Sequence, residues 1–388
     1  MKNNKVALVL AFKGTNYGMH LQGYATQQIL DSWGYNTEII DYKAKGILNG
    51  APIQRGLLTF LWKSFKRRFF EKKQYASWGN EYLKNNELRL QASDWFRKTM
   101  LHDIKPIEGI EALRNYASNC QSVLIGSDQQ WIPGVSFGNF LSLRFVPTGV
   151  NKISYATSLG VSEYPKYCYA SAKRMWSRID HLSTREEEGK YVISTICPNK
   201  QVSVVLDPTY LLTKGDWLDR IPFEKKIEEK YLLCYFLGNQ DSSKLCARRY
   251  ADKHGLKLVS IVSNESMSNI DFSYCDEAIQ GASVQDFVNL IRGAECLFTD
   301  SFHGLAFGVI NEKQFYVFYR RRDDAKQSRN SRIDNILRTW NLSERLITDE
   351  DRTWSNDYPA IDYKSVSKTL SVLRAESLEW LRNALLNK

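Results

Sequence analysis

Short apolar segments alternate with helical patterns along most of this chain, and this alternation constrains its fold more than any single motif. Residues 6–12 form an apolar run, residues 13–18 form a glycine-containing turn, and apolar positions then recur at helical spacing up to Gly34. A second strand-like run follows at residues 35–40. A strand, a helix and another strand in this order are typical of a parallel sheet covered by helices.

The same pattern continues toward the C-terminus. Further strand candidates are short and apolar, and helical stretches separate many of them. These candidates are residues 122–125, 153–156, 181–183, 202–206, 231–237, 256–262, 296–299 and 315–318. We therefore expect an α/β protein with two doubly wound, Rossmann-like domains. Ligands bind in such folds in the crevice at the carboxyl ends of the strands.

The length of 388 residues exceeds that of one ordinary domain. We place an N-terminal Rossmann-like domain at residues 1–184, with an insertion at about 45–115. A second Rossmann-like domain is expected at residues 185–345. The remaining residues, 346–388, form a helical tail that we expect to pack back on the domains.

The insertion contains a basic, aromatic helical pattern at residues 55–73. Its apolar face carries leucine, tryptophan and phenylalanine, with lysines and arginines beside it. Such a helix can lie in the interface of an anionic membrane. The alternative is a helix that covers the first domain and keeps its basic side in water.

The net charge of +10 favours anionic partners, such as phosphorylated small molecules, nucleic acid or an acidic membrane surface. No nucleic-acid-binding module signature accompanies this charge, so we expect no nucleic-acid partner. The seven scattered cysteines contain no CxxC pair, which favours reduced thiols and argues against structural zinc. Without a recognisable signal peptide or a membrane-spanning apolar run, we expect a cytoplasmic protein.

One segment places a histidine where a strand ends and a helix begins. Residues 296–299 form the strand, and either Asp300 or Ser301 can cap the helix. A helix N-terminus attracts phosphate or carboxylate groups. His303 in the first turn, with Gly304 leaving room beside it, can exchange a proton with an anion bound there. The alternative is a capped core helix whose histidine is satisfied by its neighbours.

Charged and aromatic side chains also follow three other predicted strands. Asp128 is a candidate base, and the nearby Trp131 could stack on a sugar ring, or the segment could be a turn with an anchoring tryptophan. Arg185 offers a planar fork for a carboxylate or phosphate, or it could pair with the adjacent glutamates. For Asp207 we expect a structural role in holding the following loop.

The turn after the first strand is less specific. It lacks the G-x-G-x-x-G pattern, so a dinucleotide site is not indicated. Asn16, His20 and Gln22 could face the crevice, although turn and helix-surface positions explain them equally well.

Taken together and in order, these motifs resemble the polysaccharide pyruvyl transferase family. The segments that carry the resemblance are 16–22, 126–131, 155–160, 183–186, 207–209, 300–304 and 330–332. They lie between about residues 6 and 340, and the segment 45–115 and the tail after 345 lie outside the resemblance.

The resemblance implies a glycosyltransferase-B-like fold, in which two Rossmann-like domains face a central cleft. It implies phosphoenolpyruvate as the donor and a sugar hydroxyl pair, of the galactose type, as the acceptor. The product would be a pyruvate ketal on a surface polysaccharide or on its polyprenyl-diphosphate-linked precursor.

The donor side is then expected in the C-terminal domain and the acceptor side in the N-terminal domain. Expected donor contacts are Arg185, Ser301, Phe302, His303 and Gly304. Expected acceptor contacts are Asn16, His20, Gln22 and Trp131. We expect His303 to handle the proton or the departing phosphate, Arg185 to clamp an anionic group, and Asp128 to act as a base.

This scheme requires no metal or cofactor, and it leaves open a magnesium ion that accompanies the donor. Two other functions stay open. One is a sugar-nucleotide-dependent glycosyltransferase of the same fold, and the other is a glycan-binding protein without catalytic activity.

Overall fold

The structure is a computed structural model that describes residues 4–44, 79–133, 140–265, 268, 270–320, 331–349, 354 and 358–387, with only the backbone of Ser331 and Arg332. The basic helical pattern predicted at residues 55–73 lies outside these residues. So does Asn330, the first residue of the last motif.

A seven-stranded parallel sheet forms the first part of the structure. Its strands are β1 (Lys5–Val9), β2 (Asn36–Lys43), β3 (Ile104–Glu108), β4 (Ser122–Ile125), β5 (Asn151–Ser154), β6 (His181–Thr184) and β7 (Val202–Val204). Their spatial order is β3-β2-β1-β4-β5-β6-β7. The helices that accompany them are α1 (Tyr17–Ser32), α2 (Asn80–Thr99), α3 (Ile110–Ser118), α4 (Tyr169–Trp176) and α5 (Glu187–Ile196).

A second parallel sheet has six strands in the order β10-β9-β8-β11-β12-β13. These strands are β8 (Tyr231–Tyr235), β9 (Lys257–Ile261), β10 (Glu277–Ile279), β11 (Cys296–Thr299), β12 (Gln314–Phe318) and β13 (Leu346–Ile347). The helices of this half are α6 (Lys214–Arg220), α7 (Asp241–His254), α8 (Val284–Gly293), α9 (Phe302–Ile310), α10 (Ser331–Thr339) and α11 (Tyr363–Leu386). Short 3₁₀ turns lie at Lys166–Cys168, Pro208–Tyr210 and Ser343–Arg345.

Both sheets are doubly wound, which confirms the predicted α/β class with two Rossmann-like domains in a glycosyltransferase-B-like arrangement. The strand order reverses between β1 and β4 in the first sheet and between β8 and β11 in the second. A crevice opens at such a switch point, outside the carboxyl ends of the strands. The fold therefore directs the loops after β1, β4, β8 and β11 toward possible binding sites.

The predicted domain boundaries need three corrections. β7, at Val202–Val204, belongs to the first sheet, so the first domain extends past residue 184. β13, at Leu346–Ile347, belongs to the second sheet, so that sheet extends past residue 345. β3 pairs with β2 along Ile104–Glu108, so this part of the expected insertion is an integral edge of the first sheet.

The two halves share a continuous apolar core. Tyr17 at the start of α1 stacks on Phe287 of α8, with ring centroids 4.6 Å apart. The Tyr17 hydroxyl also donates to the carbonyl of Ala282 at 2.9 Å. Burial of aromatic surface on this scale fixes how the two sheets face each other.

The last helix, α11, returns from the second half to the first. Asn151 of β5 donates through Nδ2 to the Ala384 carbonyl at 2.7 Å, and Gln121 donates to the Leu385 carbonyl at 3.0 Å. The hydroxyl of Ser377 accepts from the backbone N–H of Leu206 at 3.0 Å. The end of the chain thereby closes one side of the region between the domains.

Candidate active site

Three residues from three separate chain segments meet at one carboxylate oxygen. Arg185 follows β6, Asp207 follows β7, and His303 lies in the first turn of α9. Nη1 of Arg185 donates to Oδ2 of Asp207 at 2.8 Å, and Nε2 of His303 lies 3.7 Å from the same oxygen. Neighbouring parallel strands end at the same edge of a sheet, which places the first two residues side by side.

The guanidinium of Arg185 is buried, with its side chain 1% exposed. Its Nε donates to Oε1 of Glu186 at 2.8 Å, and its Nη2 lies 3.9 Å from Oδ1 of Asp128. The ring of Phe302 stacks beneath it, 4.2 Å from the guanidinium carbon. Burial acts to lower the pKa of Arg185, but Glu186 and Asp207 outweigh burial and raise it, so the side chain stays charged.

Asp207 is the centre of this cluster, a role that the sequence interpretation did not assign to it. Its Oδ2 accepts from the Ser127 hydroxyl at 2.7 Å as well as from Arg185, and its Oδ1 accepts from the backbone N–H of Thr209 at 3.0 Å. Burial acts to raise the pKa of this carboxyl, but His303 and Arg185 hold it well below its ordinary value. Asp207 therefore holds the loop after β7, as expected. It also orients the side chains of Arg185 and His303, the two groups expected to act on the donor.

Ser301, and not Asp300, caps the helix that carries the histidine. The Ser301 hydroxyl accepts from the N–H of Gly304 at 3.3 Å. Asp300 accepts instead from the backbone N–H groups of Leu237 and Gly238, both at 2.7 Å, which ties α9 to the loop after β8. Burial raises the pKa of Asp300.

Gly18, in the first turn of α1, provides the space that His303 occupies. A Cβ atom at this position would lie 1.8 Å from Nδ1 of His303, which is impossible without displacement. The imidazole is 7% exposed and packs edge-on against Phe302. The N-terminal turns of two helices, α1 and α9, therefore enclose the histidine.

Two buried donor atoms in this cluster lack a hydrogen-bond partner among the described residues. They are Nη2 of Arg185 and Nε2 of His303. An unpaired buried polar atom is costly, and at a functional site it often marks the place of a ligand. Their nearest carboxylate oxygens are Oδ1 of Asp128, 3.9 Å from Nη2 of Arg185, and Oδ2 of Asp207, 3.7 Å from Nε2 of His303.

Asp128 forms the accessible rim of the cluster. Its side chain is 27% exposed. Its backbone has φ of 73°, a left-handed conformation that aspartate tolerates better than most residues. The carbonyl of Asp128 accepts from the N–H of Ser158 at 2.9 Å, which holds this conformation in place.

Three of the four predicted acceptor contacts are buried in the core, which contradicts the prediction. His20, Gln22 and Trp131 each have essentially no exposed surface. Nε2 of His20 lies 2.9 Å from the Gly14 carbonyl, Nε2 of Gln22 donates to the Met19 carbonyl at 2.9 Å, and the indole of Trp131 donates to the Leu141 carbonyl at 3.1 Å. These hydrogen bonds tie the three side chains to the first domain, while Nδ1 of His20 and Oε1 of Gln22 have no hydrogen-bond partner among the described residues.

The fourth predicted acceptor residue, Asn16, caps a helix and bridges the two halves. Its side-chain oxygen accepts from the N–H of Met19 at 3.2 Å, and its Nδ2 donates to Oε1 of Glu265 at 2.8 Å. Asn16 is thus at the cleft, but its amide is occupied by the opposite domain in this structure.

A cavity of about 380 Å³ adjoins the cluster. Arg185, Asp207 and Phe302 line one side of it, while α10 and α11 line the other. The sequence interpretation missed this cavity because α10 and α11 lie far along the chain from the strand ends that they approach.

The described part of the chain contains no candidate metal site and no candidate membrane span. Within that part of the chain, no three His, Cys, Asp or Glu side chains are grouped as a metal site would require. None of the helices in it combines the length and the apolar character needed to cross a bilayer.

The sequence profile of the family described as "Polysaccharide pyruvyl transferase" matches residues 16–322. This chain belongs to the polysaccharide pyruvyl transferase family. The matched region contains Arg185, Asp207 and His303. It also spans residues 45–115, which the resemblance had left outside, and it ends before the motif at 330–332.

Solved structures with a similar course of the chain include two epimerases and a heptosyltransferase. UDP-GlcNAc 2-epimerase from Neisseria meningitidis is 12% identical, with 95% of this chain and 99% of that chain covered and a TM-score of 0.44. The corresponding enzyme from Methanocaldococcus jannaschii is 9% identical, with 96% and 99% covered and a TM-score of 0.49. ADP-heptose lps heptosyltransferase II from E. coli is 9% identical, with 96% and 98% covered and a TM-score of 0.35.

Similarities this low carry no argument about the activity of this family member, and its fold assignment rests on the two parallel sheets described above. No curated protein matches the chain.

Proposed function

We propose that this member of the polysaccharide pyruvyl transferase family transfers a pyruvyl group from phosphoenolpyruvate to a sugar. The acceptor would be a galactose-type residue of a surface polysaccharide or of its lipid-linked precursor. The observation that carries the proposal is the buried cluster of Arg185, Asp207 and His303 beside a helix N-terminus, with unpaired donor atoms on Arg185 and His303.

The reaction makes definite demands on the site. The methylene carbon of the donor accepts a proton and becomes a methyl group. Two sugar hydroxyls form bonds to the central carbon, and the bond from that carbon to the phosphate oxygen breaks. The two hydroxyl groups release one proton each. One of these protons replaces the proton that the methylene carbon takes up, and the other leaves with the phosphate. The site must therefore bind two anionic groups and move protons at two positions.

The cluster supplies these functions in a small space. The Arg185 guanidinium, which stays charged, would bind the carboxylate or the phosphate through Nη2. The N-terminus of α9 adds its partial positive charge. His303 would carry a proton to the methylene carbon or to the departing phosphate, and Asp207 would hold its imidazole in place. Asp128, on the accessible rim, would act as a base toward a sugar hydroxyl.

The remaining parts of the proposal concern the setting of the enzyme. The donor is a cytoplasmic metabolite, and a polyprenyl-diphosphate-linked oligosaccharide would present its sugar at the inner face of a membrane. Residues 55–73, with their basic and aromatic composition, would support contact with that face. The proposal needs no metal ion, and magnesium could accompany the phosphate of the donor.

The test is to incubate the full-length protein with phosphoenolpyruvate and a panel of p-nitrophenyl glycosides that includes the β-galactoside. We expect release of inorganic phosphate and a product whose mass has increased by one pyruvylidene group. Calorimetric titration with a panel of sugar nucleotides separates this function from a sugar-nucleotide-dependent transferase. Tight binding of a nucleoside diphosphate sugar without phosphate release from phosphoenolpyruvate would contradict the proposal.

A further inference from the structure

The cavity beside the cluster has the lining expected of a carbohydrate site. Its volume of about 380 Å³ lies within the range of small-molecule pockets, roughly 300–1,000 Å³. Four aromatic side chains line its walls: Tyr210, Phe302, Trp340 and Trp380. Aromatic faces can stack against the C–H groups of a sugar ring, whereas a purely ionic ligand gains little from them.

Two polar groups in these walls are buried and lie close to each other. Tyr210 is 1% exposed and Trp340 is 4% exposed, and their rings lie 5.5 Å apart. The indole N–H of Trp340 interacts with the Tyr210 hydroxyl, although neither atom has a partner at full hydrogen-bond distance among the described residues. A hydroxyl group of a ligand could complete the hydrogen bonds of this pair.

The polar part of the lining suits hydroxyl groups. Glu187, Asn335, Thr339 and Glu376 line the same space. The Asn335 amide already donates to Oε2 of Glu188 at 3.0 Å. Carboxylates and amides accept hydrogen bonds from sugar hydroxyls. A second anion would be repelled by the two glutamates, which makes the cavity unsuitable for another phosphate.

The position of the cavity links it to the reaction. Arg185, Asp207 and Phe302 belong both to its wall and to the catalytic cluster. A sugar held against Trp340 and Trp380 would therefore lie next to the place where the donor is expected.

We infer that this cavity, between the end of β7 and helices α10 and α11, is the subsite that holds the ring of the acceptor sugar. The inference rests on the proposed function for the identity of the ligand as an acceptor. It adds that the acceptor is recognised by α10 and α11 together with the residues that follow β6 and β7 of the first sheet.

Filling the cavity is the direct test. Thr339 lines it from the exposed end of α10 and donates to the Asn335 carbonyl at 2.9 Å. Thr339→Trp would place an indole in the cavity. Ser371→Trp is the matched control, because Ser371 is also an exposed hydroxyl residue that donates to a carbonyl of the preceding turn, at 2.8 Å, but does not line the cavity.

The measurement is saturation-transfer NMR of methyl β-galactoside, methyl β-glucoside and methyl α-mannoside with the full-length protein, without donor. We expect at least one glycoside to bind the wild type and Ser371→Trp, and to lose binding in Thr339→Trp. Equal binding to Thr339→Trp and wild type, or binding of none of the three to the wild type, would overturn the inference.

A second pair of variants leaves the space unchanged. Glu376→Gln removes a carboxylate that lines the cavity, and Glu379→Gln changes an exposed residue of the same helix outside it. Loss of one charged hydrogen bond should weaken glycoside binding about tenfold in Glu376→Gln. Unchanged affinity in that variant would also count against the subsite.

The outcome separates the subsite from the proposed reaction. If glycoside binding disappears in Thr339→Trp and the wild type releases no phosphate from phosphoenolpyruvate, the subsite is supported and the proposed reaction is rejected. If Thr339→Trp and the wild type both transfer pyruvate to a galactoside with the same KM for that acceptor, the reaction is supported and the subsite is rejected.

Discussion

Arg185 and Asp207 form a buried ion pair, 2.8 Å between Nη1 and Oδ2, and the imidazole of His303 lies beside the same oxygen. The pair joins the carboxyl ends of two adjacent strands of the first sheet, while the histidine comes from the second half of the molecule. The geometry of this cluster therefore depends on contact between the two domains.

Replacement of Asp207 by asparagine should affect stability and activity together. Removing one charge of a buried pair leaves its partner uncompensated, which typically costs roughly 3–5 kcal/mol. The pKa of Asp207 lies below its ordinary value, so its contribution is present above about pH 4 and is lost as the pH falls further. Urea denaturation at pH 7 measures the cost. Asp219→Asn, at an exposed position, is the control and should match the wild type.

Replacement of His303 by glutamine should remove proton transfer and leave the fold intact. General acid–base catalysis typically contributes about 10²–10⁴-fold, so kcat for phosphate release should fall by at least about 100-fold. His254→Gln, at the exposed end of α7, serves as the control. Retention of more than half of the wild-type kcat in a folded His303→Gln protein would show that the imidazole has no catalytic role.

Gly18→Ala should impair the same step without changing a catalytic side chain. The added methyl group would lie 1.8 Å from Nδ1 of His303 and must displace the imidazole or separate α1 from α9. Gly23→Ala on the same helix is the matched control, because its nearest neighbour, a Leu10 methyl group, would lie 3.6 Å away. Kinetic assays should show a loss in Gly18→Ala close to that of the His303 variant. Wild-type activity in Gly18→Ala would mean that His303 moves freely.

His20 should make the first domain sensitive to mild acid. Burial lowers the pKa of His20 to about 4, from an ordinary value of 6.5. As the pH falls below 6.5 the unfolded chain takes up this proton while the folded chain does not, so stability is lost between pH 6.5 and 4. A depression of this size corresponds to roughly 3 kcal/mol.

The check is urea denaturation of wild type and His20→Gln at several pH values between 4 and 7. The wild type should lose more stability toward the acid end than the variant does. Identical slopes for His20→Gln and wild type would contradict the expected titration.

The central strands were predictable because they are buried on both faces and contain continuous apolar runs. β1, β4, β8 and β11 lie inside their sheets and were all expected from the sequence. The strands that the sequence interpretation missed, β3, β10 and β13, each lie at the edge of a sheet. An edge strand is shorter or partly exposed, so its pattern resembles that of a loop.

The site was predictable to the same limited degree. Arg185 and His303 stand directly after strands, where a parallel sheet presents functional groups, and the structure brings them together at Asp207. His20 and Gln22 lie within α1 and Trp131 lies in the loop after β4, and their side chains are buried in the core. Sequence spacing gives the end of a strand but not the direction in which each side chain there points.

The amino-acid sequence by itself determined the class of fold and the alternation of strands and helices. It also indicated the two residues with the most distinctive chemistry, Arg185 and His303. Local patterns are enough for these features because burial and helix capping depend on neighbouring residues. Only the tertiary structure decided that Asp207 joins Arg185 to His303, that Gly18 makes room for the imidazole, and that α10 and α11 close a cavity beside them. Each of these depends on packing between segments that are distant in the chain, and that packing is set by the shared core of the two domains.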